Sequence, residues 1–188
     1  MIIGLTGSYC SGKDTVAEYL VSKKKFFHLS LSDELRKILK SNNIETSREN
    51  LIRIGTELRE KEGNGILAKM VLKEIPENRN YIITSIRHPA EIETLKTRDD
   101  FTLINVDAPA NTRFERMKKR NRPGDPETFE KFIEMEKRES NDKGSGQQLQ
   151  KCRELAQINF INDTNGLKEL YTKIDSLLQR LNKEKPLQ

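Results

Sequence analysis

The run Gly7-Ser8-Tyr9-Cys10-Ser11-Gly12-Lys13-Asp14-Thr15 holds the residue types and spacing that can do chemistry. Gly7 and Gly12 permit backbone angles that a side chain forbids. Successive N–H groups of such a loop can turn inward and surround a phosphate. A helix starting at the same place points its own unpaired N–H groups there. Lys13 brings a positive charge to the terminal phosphates, and Thr15 offers a hydroxyl to a phosphate oxygen or to magnesium. The usual pattern places Ser or Thr directly after the lysine. Here Asp14 holds that position and Thr15 follows it.

The loop needs elements to hold it. Ile2, Ile3, Gly4 and Leu5 form a short apolar run before it, which predicts a buried strand. Val16, Ala17, Leu20 and Val21 follow at helical spacing, which predicts a helix from Gly12 to Lys24. Strand, loop and helix therefore agree with a phosphate-binding start to the chain.

Further candidates lie at the ends of later strands. Phe26 to Leu31 predicts the second strand, and Ser32-Asp33 then opens a helix carrying Leu35, Ile38 and Leu39. Asp33 can serve as the helix N-cap or as an acidic group beside an acceptor. Arg36 can bind a phosphate or lie on a solvated helix face. Tyr81-Ile82-Ile83-Thr84 predicts the third strand, with Ser85-Ile86-Arg87-His88-Pro89 at its carboxyl end. Arg87 is thereby placed where a side chain faces the ligand crevice. His88 reads as a turn residue. Glu91, one turn on, reads as the ion-pair partner holding Arg87.

The remaining chain alternates in the same way. Ser47 or Thr46 caps a helix whose buried face is Leu51, Ile54 and Leu58. Gly63-Asn64-Gly65 breaks it, and Ile66, Leu67, Met70 and Val71 resume the pattern up to Pro76. Phe101 to Val106 predicts the fourth strand. Ala110 to Asn121 predicts a helix carrying Arg113, Arg116, Lys118, Lys119 and Arg120, a basic face of the ordinary solvated kind. Asp125, followed by Pro126, reads as the cap of a helix running to Arg138. Asn141 to Gln148 reads as a mobile polar loop. Ala156 to Ile161 predicts an edge strand, Gly166 to Leu181 an amphipathic helix, and Lys183 to Gln188 a frayed tail. Strands alternating with helices imply a parallel α/β sheet covered on both faces, with the first strand central and the loops after strands one to four meeting in one crevice.

Composition narrows the class. The 188 residues suit one domain, 1–182, with 34% apolar and 34% charged residues. Thirty-four basic against 29 acidic residues leave a net charge of +5, which suits phosphorylated ligands. Aromatics are 6%, which argues against a nucleic-acid partner. Two cysteines without metal spacing point to a reducing, cytoplasmic setting, with neither a disulfide framework nor zinc. No apolar run approaches a membrane span, and Met1 runs straight into a strand, leaving no room for a signal peptide.

The phosphate loop, the stretch His28-Leu29-Ser30-Leu31-Ser32-Asp33-Glu34-Leu35-Arg36 and the arginine after strand three together resemble the nucleoside monophosphate kinases, adenylate kinase especially. The chain looks closest to the adenylate-kinase-related P-loop proteins of archaea, and more distantly it resembles dephospho-CoA kinase. The resemblance implies a P-loop NTPase α/β/α sandwich with a five-stranded parallel sheet in the order 2-3-1-4-5. It also implies acceptor-site helices over 33–76 and a short lid over 116–148. ATP and Mg2+ are the implied cofactors and a small nucleotide the implied substrate. Gly7 to Thr15 with Arg116 and Arg120 would hold the nucleotide, and Thr15 and Asp14 the metal. Asp33, Arg36, Arg87 and Arg122 would hold the acceptor. Lys13, Arg87, Arg120 and Asp33 are the implied catalytic set. The expected reaction is phosphoryl transfer from ATP to AMP or a similar acceptor. A dephospho-CoA kinase-like enzyme is one alternative, and a slow ATPase acting as a switch or assembly factor is another. Two positions depart from the pattern: Thr84 stands where relatives carry the aspartate that orders magnesium, and Leu31 where adenylate kinase has a threonine near the acceptor base.

Overall fold

The computed structural model describes residues 1–76, 79–140, 148–164 and 166–184. Its centre is β1 (Ile2–Gly7), flanked by β3 (Tyr81–Thr84) and β4 (Phe101–Asp107), with β2 (Phe27–Ser30) and β5 (Ile158–Ile161) at the edges. The order is β2-β3-β1-β4-β5 and every pairing is parallel, as expected.

The apolar runs explain the layering. A strand buried on both faces needs no polar alternation. Ile2, Ile83, Tyr81 and Leu103 point into one core, and Ile3, Leu5, Ile82 and Ile104 into the other. The second core is closed by α1 (Lys13–Lys24) and α9 (Leu167–Glu184) through Val16, Leu20, Leu170 and Ile174. Tyr19 stacks on Tyr171 with ring centroids 4.1 Å apart and donates to Asp175 at 2.9 Å, which fixes these two helices together. The first core is closed by α2 (Leu31–Ser41), α3 (Arg48–Glu62), α4 (Ile66–Lys73) and α5 (Pro89–Leu95). Two further helices, α6 (Ala110–Arg120) and α7 (Phe129–Ser140), follow β4, and α8 (Leu149–Glu154) precedes β5.

Several boundaries differ from the sequence expectation. Ser30, not Asp33, occupies the N-cap of α2, because Leu31 turns into the core with no exposed surface. That burial also makes Leu31 a packing residue. Ser47 caps α3 as expected, accepting from the Asn50 amide at 3.1 Å. Asp125 does not cap α7: Thr128 does, accepting from the Lys131 amide at 3.3 Å, and the helix starts at Phe129. Asp125 is already engaged by Tyr9 and Arg120. The short α8 was not expected, since a single turn shows no periodicity. Gln148 precedes it as a buried residue, while 141–147, the rest of the expected mobile loop, lie outside the described residues. α9 extends past the predicted end to Glu184, so the frayed tail does not begin at Lys183, and 185–188 lie outside the description. Leu167, the first residue of α9, is 56% exposed and lies off the helix's apolar face. Among the described residues no helix is long and apolar enough to cross a membrane.

Leu31→Ala is expected to lower stability by about 2–5 kcal/mol, the cost of a cavity at a fully buried leucine. Thermal or urea unfolding measures it; an unchanged midpoint would contradict the core position.

Candidate active site

All strands are parallel, so their carboxyl ends open on one edge. The loop Ser8 to Gly12 leaves β1 there and enters α1. Gly7, Cys10 and Gly12 have φ of 152°, 56° and 92°. A Cβ on Gly7 would lie 2.1 Å from the Val106 carbonyl oxygen, and one on Gly12 2.3 Å from Asn162 Nδ2. Gly7 is therefore required by close approach to backbone as well as by its angle, and Gly12 by its angle, with the Asn162 side chain packed against it.

Four carbonyls of this loop, those of Ser8, Tyr9, Ser11 and Gly12, have hydrogen-bond partners. Ser8 O accepts from the Ser11 amide at 3.2 Å and Gly12 O from the Val16 amide at 3.1 Å. Tyr9 O accepts from Arg113 Nη1 at 3.4 Å. Ser11 O accepts from Asn162 Nδ2 at 2.8 Å and Arg116 Nη1 at 3.2 Å. The amides of Lys13, Asp14 and Thr15 precede the first helical donor, the Val16 amide, and have no partner within the helix. Donors thus converge where the loop meets α1, an arrangement that fits a polyphosphate. Lys13 and Thr15 are half-buried beside it, and Asp14 is exposed.

The basic face of α6 is not simply solvated. Arg113, Arg116 and Arg120 share one face and turn to the loop, while Lys118 and Lys119 stay exposed. Arg113 is buried, pairs with Glu136 and donates from Nε to Ala108 O at 2.8 Å. Arg116 Nη2 also reaches Asn162 O at 3.1 Å. Arg120 lies 4.7 Å over the Tyr9 ring, donates to the Tyr9 hydroxyl and reaches both Asp125 oxygens at 3.0 and 3.2 Å. Tyr9 donates to Asp125 Oδ1 at 2.9 Å and the Arg122 amide to Oδ2 at 3.1 Å. Burial pushes the Asp125 carboxyl up, but Tyr9, the Arg122 amide and Arg120 outweigh it and hold the group below its ordinary value. The Arg122 side chain itself is exposed.

A second group stands at the ends of β2 and β3. Arg36 Nη1 donates to Asp33 Oδ1 and to Ser32 Oγ, each at 2.7 Å. Ser30 and Ser85 hydroxyls are 2.9 Å apart, and both approach Ser32 Oγ, at 2.9 and 3.2 Å. Thr84 Oγ1 is 2.8 Å from His28 Nε2. The Arg87 side chain is exposed, and its backbone is fixed at both ends: the amide donates to Glu91 Oε2 at 2.8 Å and the carbonyl accepts from the Gln148 amide at 2.8 Å. His88 is the N-cap of α5, its Nδ1 accepting from the Ala90 amide at 3.1 Å. Glu91 holds Arg87 through that amide, while its ion pair is with Arg59 at 2.8 Å.

Sequence reasoning overlooked Arg153, Asn162 and Arg59. Arg153 Nη1 donates to Ser8 Oγ at 2.8 Å from a one-turn helix without periodic signal. Asn162 follows an edge strand in a run of ordinary loop composition. Among the described residues no group of three or more His, Cys, Asp or Glu side chains could hold a metal. Thr15 and Asp14, in the first turn of α1, carry oxygen donors directly after the loop.

Residues 3–144 match the family described as "AAA domain". The chain belongs to that family. Among curated relatives, a UPF0200/UPF0201 protein of Archaeoglobus fulgidus is 31% identical over 97% of this chain and 56% of its own length. The chain thus spans little more than half of that relative. A UPF0200 protein of Methanocaldococcus jannaschii is 30% identical over 96% of this chain and 90% of its own length. Among solved structures, shikimate kinase from Acinetobacter baumannii in complex with shikimate superposes with a TM-score of 0.58 at 19% identity, over 98% of this chain and 95% of that one. A Thermus thermophilus protein gives 0.60 at 20% identity, over 98% and 97%. These likenesses show that this AAA-domain chain has a P-loop kinase-like fold.

Both cysteines are free thiols. Burial pushes the Cys10 thiol up, and the nearby Arg120 and Lys13 do not overcome it. Burial pushes Cys152 up to about 12. At mildly alkaline pH, where a free thiol with a pKa of about 8.5 is substantially ionised, iodoacetamide should therefore alkylate Cys10 more slowly than unfolded chain and Cys152 hardly at all. Mass spectrometry of the modified peptides checks both rates. Native alkylation of Cys10 at the unfolded rate would contradict the half-buried loop.

Proposed function

We propose that this chain transfers the γ-phosphoryl group of ATP to a small phosphorylated acceptor, with AMP and other nucleoside monophosphates the first class. The carrying observation is the loop from Gly7 to Thr15, its carbonyls held from behind and its helix-starting amides left as donors. Arg36 and Arg87 at the ends of β2 and β3 supply the second half of the reading.

Such a transfer depends on in-line positioning and on dispersal of negative charge, with little covalent work for the protein. The loop amides and Lys13 bind the β- and γ-phosphates. Arg36 and Arg87 orient the acceptor phosphate and offset its repulsion from ATP. Arg120, and Arg122 beside it, close over the transferring group, while Arg116 keeps the loop in shape through Ser11 O. Thr15 and Asp14 would hold magnesium, whose chemistry is to neutralise charge on the phosphate oxygens. A phosphate acceptor needs no general base. A hydroxyl acceptor, as in dephospho-CoA, would make Asp33 the base. In this reading 33–76 are the acceptor-site helices and 116–148 the lid of a single domain, working in a reducing cytoplasm.

One observation favours a second reading. Thr84 is bonded to His28 where a carboxylate is expected. Weak magnesium ordering there suits slow, acceptor-independent ATP hydrolysis by a switch or assembly factor.

The test is phosphoryl transfer from ATP with magnesium to AMP, the other ribo- and deoxy-monophosphates and dephospho-CoA, against acceptor-free hydrolysis. Consumption of one acceptor well above hydrolysis supports the kinase; hydrolysis alone supports the switch. Lys13→Ala should abolish turnover with the circular dichroism spectrum unchanged. Undiminished turnover would sink either reading. Arg87→Ala should raise the acceptor KM by about tenfold or more, a lost charge-assisted contact, with little change in the KM for ATP. Equal losses for both ligands would remove Arg87 from the acceptor side.

A further inference from the structure

The Arg59–Glu91 ion pair is the most deeply buried one described, with exposures of 7% and 0%. Its chemistry is not used by the proposed transfer. Stability does not explain it either. Removing two charges from water costs several kcal/mol per ion, about what their attraction returns, and an apolar pair of the same size often does as well. Arg59 Nε is moreover buried without a hydrogen-bond partner among the described residues. A retained cost of that kind calls for another reason.

The contacts supply one. Glu91 Oε1 accepts from Arg59 Nη2 at 2.8 Å, and Oε2 accepts from the amides of Arg87 at 2.8 Å and His88 at 3.0 Å. A capping box at the start of α5 accounts for the His88 bond alone. It accounts neither for the Arg87 amide nor for an arginine arriving from α3. The helix of Arg59 packs on α2: the Cβ position of Gly55, one turn before Arg59 in α3, lies 3.2 Å from Leu35 Cδ1 and 3.2 Å from Arg59 Nη1. Leu35 is the neighbour of Arg36. The pair therefore ties α3, which packs on the helix that carries Arg36, to the backbone that carries Arg87.

The tie continues towards the nucleotide side. The Gln148 amide holds Arg87 O, and from the same α8 segment Arg153 holds Ser8 Oγ of the phosphate loop. Arg87 is thus held at its amide by Glu91, itself paired to Arg59 of α3, and at its carbonyl from the segment that braces the loop.

We infer that Arg59 and Glu91 are positioning residues for the acceptor: the buried pair sets where the Arg87 and Arg36 side chains stand relative to the phosphate loop. This rests on the reading of Arg87 as an acceptor arginine. Neither residue of the pair touches substrate, so its effect appears in the acceptor KM.

Glu91→Gln keeps an oxygen for the Arg87 and His88 amides and leaves Arg59 charged and unpaired. Arg59→Met with Glu91→Gln removes both charges and keeps that oxygen. The single variant should lose thermal stability, and the double variant should recover most of it. In both, the acceptor KM should rise by about tenfold, the scale of a small misplacement, while the KM for ATP stays within about twofold of wild type. A merely structural pair would lower the folded fraction and the apparent kcat and leave both KM values alone. Should either variant that folds keep a wild-type acceptor KM, the inference is overturned. If the double variant regains the KM along with the stability, it is overturned too, since the defect was then the stranded charge and not the lost tie. A wild-type chain that transfers to no acceptor overturns the kinase reading itself, and this inference with it.

Discussion

A phosphate can be bound by backbone only if the amides of a turn point one way and their carbonyls find partners the other way. A buried carbonyl left without a partner costs about 1–3 kcal/mol. In this chain the partners come from far away in sequence: Arg113 and Arg116 of α6 and Asn162 after β5. The shape of the loop is therefore a property of β4, β5 and α6 as much as of the glycines. It also explains why α6 carries arginines on its inner face, where lysine lacks a rigid fork able to meet a carbonyl and a neighbouring acceptor together.

The opposite side of the crevice obeys the same constraint. Arg87 follows the last residues of β3, where backbone groups leave the sheet and need new partners. Glu91 takes the amide and Gln148 supplies a donor for the carbonyl. The one-turn α8 then reaches the phosphate loop through Arg153. The phosphate loop and the Arg87 backbone are thereby referred to one short segment packed on the core through buried Cys152.

The order of the sheet, the glycine-bounded turn between β1 and α1 and the place of Arg87 just after β3 were legible in sequence because each rests on local signals: apolar runs, glycines and a strand end. The misreadings share a different cause. Asp125 followed by Pro126 looks like a helix start, yet a tertiary demand from Tyr9 and Arg120 captures the carboxylate. Leu31 looks like a pocket residue by resemblance, yet the core takes it. Glu91 sits one turn from Arg87, yet its ion pair is with Arg59, far away in the chain. The loop-facing arginines of α6 could have been separated from the solvated lysines by their shared helical face, whereas α8, Arg153 and Asn162 leave no periodic trace at all.

Burial divides the arginines into those able to move and those that cannot. Arg36 and Asp33 are both about half exposed, at 47% and 52%. Such a pair is worth about 0–1 kcal/mol, so an incoming phosphate can replace the carboxylate at little cost. Arg120 with Asp125 is intermediate, and its exchange also requires leaving the Tyr9 ring. Arg59 cannot exchange: releasing it would strand Glu91 in the core, at about 3–5 kcal/mol. The same logic applies to Arg113, buried against Glu136. In the proposed reaction the arginines therefore split by role. Arg36 can follow the phosphates at little cost, Arg120 only by leaving Asp125 and the Tyr9 ring, and Arg59 and Arg113 keep fixed the backbone on which the others are mounted.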